Sequence, residues 1–307
     1  MVEQMPCPQP IRAPMTTSIV IRALNEAAHL PRLFESLQQQ SVPPDEIVFV
    51  DSGSTDASVS IGESYGASIV QIPPGDFTFG GALNLGCERA KGDILIFASA
   101  HVYPVDDHWI ERLVAPFSDP DVGLSYGGQD GDPEGNFSER QLLKEWFPPE
   151  SQLRKTDPFC NNANCAVRRE VWERHPYDET LTGLEDIACG RKVLADGLTI
   201  AYVADARIVH VHNEHFRQTL NRYRREAMAY TEIFGRSDMG MRRAGRLFCA
   251  NVISDLRVAR AERHFVASAG SATKFRFAQF AGAFLGHRSN DGDHAAVVTR
   301  MYYPRSK

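Results

Sequence analysis

The sequence predicts an α/β fold built on a mostly parallel, doubly wound sheet flanked by helices. Apolar runs at residues 17–23, 47–50 and 94–98 have the length and β-branched content of buried strands. Residues 29–40 between the first two runs repeat apolar side chains at helical spacing. Because strands that alternate with helices pair in parallel through right-handed crossovers, we expect helices on both faces of one sheet.

The remaining elements continue this alternation, less regularly toward the C-terminus. Helices are predicted at residues 56–65, 81–90, 109–117, 169–173, 185–195, 218–234, 242–263 and 272–285, and strands at residues 67–72, 122–126, 164–167 and 199–203. Residues 127–136 are rich in Gly, Asp and Pro, which predicts a flexible or substrate-facing loop.

The composition indicates a globular chain with unevenly distributed charge. The 307 residues are 43% hydrophobic, which allows a large core. Residues 1–216 carry 16 Lys and Arg against 32 Asp and Glu, a net charge of −16, whereas residues 217–307 carry 17 against 7, a net charge of +10. A basic C-terminal part suits an anionic partner such as lipid headgroups, and an Arg-rich helical layer against the acidic part explains it equally well.

Neither a membrane span nor an export signal is predicted. No window approaches the roughly 18 apolar residues of a span, and residues 1–14 lack the basic-then-apolar pattern of a secretory signal. We therefore expect a cytoplasmic protein. The six cysteines form no CxxC pair, so they predict reduced thiols and no zinc site.

An acidic turn follows the second apolar run. Asp51 ends that run, and Ser52, Gly53 and Ser54 form a turn before the next helix. Ligands of open α/β sheets bind at such strand ends, where a carboxylate accepts hydrogen bonds from a base or a ribose. An ordinary capped strand-to-helix junction would look the same.

Four segments occur in a definite order along the chain. They are SIVIRALNEA (18–27), DSGSTD (51–56), GDILIFASAHVYP (92–104) and LTGLEDIACGRKV (181–193). Together they resemble bacterial glycosyltransferases of family 2, which have the GT-A fold with its Rossmann-like sheet. The resemblance covers residues 18–215, and the C-terminal helices more loosely resemble the tails of polysaccharide-assembly members.

The resemblance implies a division of the chain and a nucleotide site. The expected parts are a loose leader at 1–16, a GT-A domain at 17–215 with its nucleotide part at about 17–104 and its acceptor part at about 105–215, and a basic, mainly helical extension at 216–307. The residues implied for the nucleotide and donor are Ala23, Asn25, Glu26, Asp51, Ser52, Gly80, Gly81, Asn84 and Ser99. As an alternative, Asn25 and Glu26 only cap the following helix and the glycines only form a turn.

The metal site departs from the family pattern. Family members usually have Asp-x-Asp after the fourth strand, where Mn²⁺ or Mg²⁺ neutralises the diphosphate leaving group. Here the position reads Ser99-Ala100-His101. Family members often have a histidine near His212 as a second metal or diphosphate ligand, so the resemblance implies that His101 and His212 bind the cation. His210 and His212 alternate along a predicted strand and share a face. The alternatives are that the imidazoles hydrogen-bond the phosphates directly, or that His210 is structural.

The Glu185-Asp186 pair resembles the acidic pair that supplies the general base of the family. The resemblance implies Asp186 as base and Glu185 as its neighbour, although acidic residues in a first helical turn are also ordinary caps. Asn162 and Asn164 match the region that lines the sugar and acceptor pocket. Arg222 and Arg225 stand three apart on one helical face and suit a diphosphate, a membrane-linked acceptor or surface salt bridges.

These observations predict an inverting glycosyltransferase that moves a sugar from a nucleotide-diphosphate donor to a glycan or lipid-linked acceptor in cell-surface polysaccharide biosynthesis. We expect no nucleic-acid partner and a peripheral position at the inner face of the plasma membrane, and a homo-oligomer stays open. The alternative is a non-catalytic GT-A protein that binds a nucleotide or a partner through a degenerate metal motif. A nucleotidyltransferase would need a glycine-rich phosphate loop where this chain reads ALNEAAHL.

Overall fold

The computed structural model describes residues 15–73, 75–236, 239–262 and 265–289, and the predicted leader lies almost wholly outside them. The strands are β1 (Thr17–Ala23), β2 (Glu46–Asp51), β3 (Ser68–Gln71), β4 (Ile94–Ser99), β5 (Val102–Pro104), β6 (Val122–Gly131), β7 (Gln152–Lys155), β8 (Asn164–Arg168) and β9 (Thr199–His210). The helices are α1 (Leu30–Gln38), α2 (Ser58–Ser64), α3 (Phe79–Arg89), α4 (Trp109–Val114), α5 (Phe137–Trp146), α6 (Arg169–Arg174), α7 (Glu185–Ala195), α8 (Phe216–Phe234), α9 (Met241–Ala261) and α10 (Phe265–His287), and a 3₁₀ turn follows α4.

All nine strands belong to one sheet. Their order is β3-β2-β1-β4-β8-β6-β9-β5, and β7 also pairs with β9. The first four strands in this order are parallel, β8 is antiparallel to both β4 and β6, and β9 is parallel to β6. Because β5 and β7 are antiparallel to β9, six of the nine strands run in one direction. The predicted mostly parallel α/β fold is confirmed.

The core lies on both faces of the sheet, as the alternation of buried side chains requires. Val20 and Val48 face the side covered by α3, whereas Ile19 and Phe49 face the side covered by α1. All four side chains are buried. Residues of β1 and β2 are therefore apolar on both faces, which explains why these strands have continuous apolar runs.

The predicted loop at residues 127–136 is wrong over its first half. Residues 127–131 continue β6 and pair with the second half of β9. A Cβ atom at Gly127 would overlap the Ala206 carbonyl oxygen, and one at Gly128 would lie 2.6 Å from the Ala204 carbonyl oxygen. The glycines therefore allow a close approach of two strands, where their composition alone suggested a loop.

Helices α8, α9 and α10 form the C-terminal part, in which α10 packs against α8, α9 and α5. A Cβ atom at Gly282 or Gly286 of α10 would overlap a backbone carbonyl of α8. Arg276 of α10 forms a buried ion pair with Asp255 of α9, with 2.8 Å between Nε and Oδ2. Among the helices described, none combines the length and the apolar composition that crossing a bilayer requires.

Candidate active site

The carboxyl ends of β1 and β2 are joined by hydrogen bonds between the loops that follow them. Ser52 N donates to the Ala23 carbonyl at 3.0 Å. Asn25 has a left-handed backbone with φ of 57°. Its Oδ1 accepts from Thr55 N at 2.8 Å, and its own N–H donates to Ser54 Oγ at 2.8 Å. Asn25 is thus held beside the β2 turn, at the edge where ligands of open α/β sheets bind.

Asp51 lies at this edge and is buried. Its Oδ2 accepts hydrogen bonds from Gly53 N at 3.0 Å and from Ser54 N at 3.1 Å. The carboxylate therefore stabilises the turn that follows β2. Each carboxylate oxygen has two lone pairs, so Asp51 can also accept from a ligand.

Three histidines meet at the same edge of the sheet. His101 lies in the turn between β4 and β5, His210 ends β9, and His212 lies just beyond that strand. Their ligand-capable nitrogens lie within 4.8 Å of one another. The pairing of β5 with β9 sets this approach, and Val211 N donates to the His101 carbonyl at 3.1 Å. The expected partners His101 and His212 thus come together, with His210 as a third member.

His210 has a buried ring nitrogen that is available to a ligand. It is buried, and its Nε2 has no hydrogen-bond partner among the described residues. Burial and then the neighbouring His212 and His101 hold the pKa of His210 well below its ordinary value. His210 is therefore neutral and lies beside two other imidazoles, with ring centroids 5.2 Å from His101 and 4.0 Å from His212, and this donor set fits a divalent cation.

Glu26 contacts both the histidines and the start of α1. Its Oε1 accepts from His101 Nδ1 at 2.9 Å, so its side chain is directed at the histidines. Its backbone carbonyl accepts from His29 N and Leu30 N at the start of α1. The carboxylate thus orients His101, and the expected contact of Glu26 with the base or ribose stays a prediction.

A buried charge network supports His212. Glu139 of α5 accepts from His212 Nδ1 at 2.8 Å and from Arg222 at 2.6 Å. Arg222 also binds Glu214, with its Nε 3.0 Å from both carboxylate oxygens. Burial opposes charge on Glu139, but the hydrogen bond and charge of His212 together with Arg222 lower the pKa of Glu139. The Arg222 guanidinium is thus paired with two carboxylates inside the protein, and its expected contact with an acceptor stays a prediction.

The acidic pair lies at the start of α7, as predicted. Asp186 accepts from Ile187 N at 2.8 Å and from Asn162 N at 3.2 Å. Glu185 is buried and pairs with Arg22 at 3.5 Å. Burial and the Glu185 charge raise the pKa of Asp186 to about 7 despite those two backbone hydrogen bonds. Asp186 is thus poised to exchange a proton near neutral pH.

Asp186 lies in the wall of a cavity of about 400 Å³. Residues from α5, the 159–161 segment, α7 and α8 to α10 line this space, and most of them are apolar or aromatic. The carboxyl, guanidinium and imidazole groups among them belong to Asp186, Glu226, Arg243 and His287. Burial raises the pKa of Glu226. The cavity thus places two carboxyl groups among aromatic rings such as Trp146 and Tyr230.

Two predicted contacts are corrected because the side chains are saturated inside the protein. Asn164 is fully buried, and its amide binds Trp109 and the carbonyls of Gly128 and Ala206. Asn84 accepts from Trp172 and from Tyr177 N, and donates to the Tyr177 carbonyl and to Glu179. Neither amide has a free polar group for a sugar or a nucleotide.

The other predicted residues lie around the same region. Gly80 lies in the first turn of α3, where a Cβ atom would overlap the Asp178 carbonyl, so it allows a close approach of that segment. Gly81 N donates to Thr78 Oγ1, which caps the start of the helix. Ser99 ends β4 and is half-buried. The guanidinium of Arg225 lies 4.7 Å from the centre of the Phe79 ring.

Three residues of the site were missed from the sequence: Arg22, Gln129 and Glu139. Arg22 had a signal, since it is a charged residue inside the otherwise apolar β1. Gln129 and Glu139 had none, because they lie in the unpredicted half of β6 and in the unpredicted α5.

The mostly parallel sheet carries a crevice at its strand ends, a three-histidine cluster and an acidic pair, an arrangement compatible with a GT-A glycosyltransferase. The profile of glycosyl transferase family 2 matches residues 18–175, about half of the chain. The chain therefore belongs to this family, as the resemblance predicted, and is a family 2 glycosyltransferase.

The chain is also similar to curated rhamnosyltransferases. It is 30% identical over 222 residues to an O-antigen chain rhamnosyltransferase of Salmonella typhimurium, covering 68% of this chain and 70% of that protein. A second O-antigen chain rhamnosyltransferase, from Salmonella anatum, is 28% identical over 202 residues, with coverage of 62% and 64%. These relatives support a sugar-transfer role in polysaccharide biosynthesis.

Solved structures share the fold at low identity. A mannosyltransferase of Pyrobaculum calidifontis in complex with GDP-Man and Mn²⁺ superposes with a TM-score of 0.60 at 16% identity, covering 98% of this chain and 90% of that chain. Glucosyl-3-phosphoglycerate synthase of Mycobacterium tuberculosis in complex with Mn²⁺, UDP and glucosyl-3-phosphoglycerate gives 0.56 at 23% identity, covering 74% and 82%. The predicted GT-A architecture is thereby confirmed.

Proposed function

We propose that this protein is an inverting glycosyltransferase in which Asp186 is the general base. The observation that carries this proposal is the position of Asp186 in the wall of the 400 Å³ cavity, with its pKa raised to about 7 by burial and by Glu185. A carboxylate with a pKa near the working pH is largely deprotonated and is still basic enough to remove a proton from a hydroxyl group.

The reaction is a single displacement. The Asp186 carboxylate removes the proton of an acceptor hydroxyl while the oxygen attacks the anomeric carbon. The bond between that carbon and the diphosphate oxygen breaks on the opposite face, and the nucleoside diphosphate leaves with the electron pair. Asn162 N and Ile187 N hold the carboxylate in place, and Arg22 holds Glu185 beside it.

The donor occupies the crevice at the ends of β1, β2 and β4. Ala23, Asn25, Asp51, Ser52 and Ser99 lie at that edge and bind the nucleoside. His101, His210 and His212 would hold a divalent cation, which would supply positive charge beside the leaving diphosphate.

The transferred sugar and the acceptor follow from the relatives and the cavity. Since the Salmonella relatives are named O-antigen chain rhamnosyltransferases, we take a nucleotide-activated rhamnose as the first donor to test. The aromatic cavity suits an acceptor sugar ring, whose C–H faces pack on Trp146, Phe159 or Tyr230. Glu226 lines this cavity, and Asn162 donates its backbone N–H to Asp186 in the cavity wall. We propose a lipid-linked glycan as the acceptor.

The exposed face of α9 suits a lipid surface at the inner face of the plasma membrane. Arg242, Arg246, Arg257 and Arg260 recur at helical spacing on its solvent side and make no ion pair within the described part of the chain. Ile253, 49% exposed, lies between them. A basic amphipathic face of this kind binds anionic headgroups, at about 1 kcal/mol for each Arg near the surface.

A transfer assay tests this function. The full chain is incubated with nucleotide-activated rhamnose, glucose or mannose and a polyprenyl-diphosphate-linked oligosaccharide, and nucleoside diphosphate release and product anomeric configuration are measured. We expect one donor to give product with inverted configuration and Asp186→Asn to lower turnover by about 10²- to 10⁴-fold. Asp205→Asn, at an exposed position on β9, is the matched control. Full turnover in Asp186→Asn would remove it as the base, and the absence of transfer together with nucleotide binding would favour a non-catalytic protein.

A further inference from the structure

The three clustered histidines are each fixed in one tautomer by a separate acceptor. His101 donates Nδ1–H to Glu26 at 2.9 Å, His210 donates to the side-chain carbonyl of Gln129 at 2.9 Å, and His212 donates to Glu139 at 2.8 Å. Carboxylate and amide oxygens only accept, so each ring carries its hydrogen on Nδ1. In the neutral form of each ring, Nε2 keeps its lone pair for a ligand.

These acceptors are themselves held in place. Glu139 is bound by Arg222, and the Gln129 amide donates to Asn161 Oδ1 at 3.0 Å. The Glu26 backbone N–H donates to Ser58 Oγ at 2.8 Å. Metal-binding histidines characteristically have an oriented acceptor on the nitrogen that does not ligate, and all three rings share this feature.

The chemistry of this donor set selects among cations. Mg²⁺ takes oxygen ligands and keeps its water, whereas imidazole nitrogen suits Zn²⁺, Co²⁺ and related transition cations. Among the described residues, the cluster consists of three imidazoles and no carboxylate. A set of three protein ligands leaves a coordination position open for a further ligand.

We propose that the chain binds its cation through Nε2 of His101, His210 and His212, that this centre selects Zn²⁺ or Co²⁺ over Mg²⁺, and that Glu26, Gln129 and Glu139 are positioning residues. This deepens the proposed function, because the same cation serves the donor diphosphate. This cation preference differs from the Mn²⁺ or Mg²⁺ that the family resemblance implies. It also differs from the prediction of no zinc site, which was based on the cysteines, because the proposed ligands are histidines.

Cobalt binding tests this centre without donor or acceptor. Metal-free full-length protein is titrated with Co²⁺, and its visible d–d absorption reports nitrogen ligation and stoichiometry. We expect one Co²⁺ per chain, displaced by equimolar Zn²⁺ and retained in a 100-fold excess of Mg²⁺. Affinity is expected to rise from Mn²⁺ to Co²⁺ and Zn²⁺.

Variants assign the ligands. His101→Ala and His212→Ala change side chains that are 27% and 18% exposed, so the fold is expected to persist, as checked by thermal unfolding. Each is expected to abolish the one-to-one Co²⁺ spectrum, and Glu26→Ala to weaken binding by about 10- to 100-fold. The matched control is His108→Ala, in the exposed cluster of Asp106, Asp107 and His108.

The proposal is overturned if Co²⁺ gives no ligand-field spectrum, if the spectrum survives in folded His101→Ala and His212→Ala, if His108→Ala removes it, or if Mg²⁺ displaces Co²⁺ as readily as Zn²⁺ does. Sugar transfer that continues unchanged in EDTA would likewise overturn it and leave the proposed function standing. Co²⁺ binding as expected without transfer from any donor would support the centre and count against the proposed function.

Discussion

Asp186 is set apart from an ordinary helix-capping acid by the space it faces. Other first-turn acids, such as Glu111 and Glu170, belong to short helices at exposed positions. Asp186 instead lies in a cavity wall beside a second carboxylate. This environment disfavours the charged form and makes the carboxylate a stronger base.

The first prediction concerns pH. Transfer requires deprotonated Asp186, so kcat/KM should fall as pH drops below about 7 and reach a plateau above it. Glu185→Gln removes the neighbouring negative charge, which lowers the pKa of Asp186 and should move this acidic limb to lower pH. The check is a pH profile of both proteins. A profile without an acidic limb near pH 7, or one that Glu185→Gln leaves in place, would contradict the assignment.

A second prediction separates the two roles of Asp51. Asp51→Ala removes the acceptor of the Gly53 and Ser54 amides and should lower the free energy of unfolding by about 1–3 kcal/mol. It should also weaken nucleoside diphosphate binding at least about tenfold, the equivalent of one hydrogen bond to a charged group. Urea unfolding and calorimetry measure the two effects. Undiminished nucleotide affinity in a folded variant would remove Asp51 from the site.

At the level of helices, the packing of α8 against α10 shapes the cavity beside Asp186. Ala227 and Tyr230 of α8 and Ala283 and His287 of α10 line that space. Gly282 lies between these helices, so their separation depends on the absence of a side chain there.

The third prediction follows from this packing. In Gly282→Ala the added methyl group overlaps the Leu220 carbonyl, which should cost about 1–3 kcal/mol and displace α10. We expect acceptor KM to rise while nucleotide affinity is kept. Gly270→Ala in the same helix has no atom within 4 Å of the new Cβ and should be neutral or stabilising. If the two variants have the same free energy of unfolding and the same acceptor KM, the close contact between Gly282 and the Leu220 carbonyl does not determine either quantity.

Elements with local signals were predictable, and elements made by tertiary pairing were not. Helix α7 begins and ends at the predicted residues because its acidic start and its Asp196-Gly197 end are local. The second half of β6 was missed, since Gly127 and Gly128 disfavour a strand until β9 lies beside them. Gln129 and the α5 residue Glu139 were therefore invisible as partners of the histidines. Asn164 was misassigned because sequence does not reveal that Trp109 binds its amide.

At the scale of the molecule, the uneven charge leads to the fourth prediction. The full chain should sediment with vesicles that contain anionic phospholipid, less so at high salt and not with neutral vesicles. The double substitution Arg242→Glu and Arg246→Glu on α9 should weaken binding at least about 30-fold, because the loss of two positive charges at about 1 kcal/mol each removes about 2 kcal/mol. The control is Arg154→Glu, at an exposed arginine paired with Asp119. Binding that responds equally to both sets would contradict a role for the α9 face.

Calorimetric titration of UDP, GDP, dTDP and CMP into the protein, with Zn²⁺, Co²⁺ or Mn²⁺ and then with EDTA, is the decisive test of cation-assisted nucleotide binding. We expect that one nucleotide binds with one-to-one stoichiometry, that EDTA lowers its affinity strongly, and that His212→Ala reproduces the loss in the presence of the cation. Failure of every nucleotide to bind, or binding that is indifferent to both EDTA and His212→Ala, would contradict a cation-assisted nucleotide-sugar transferase.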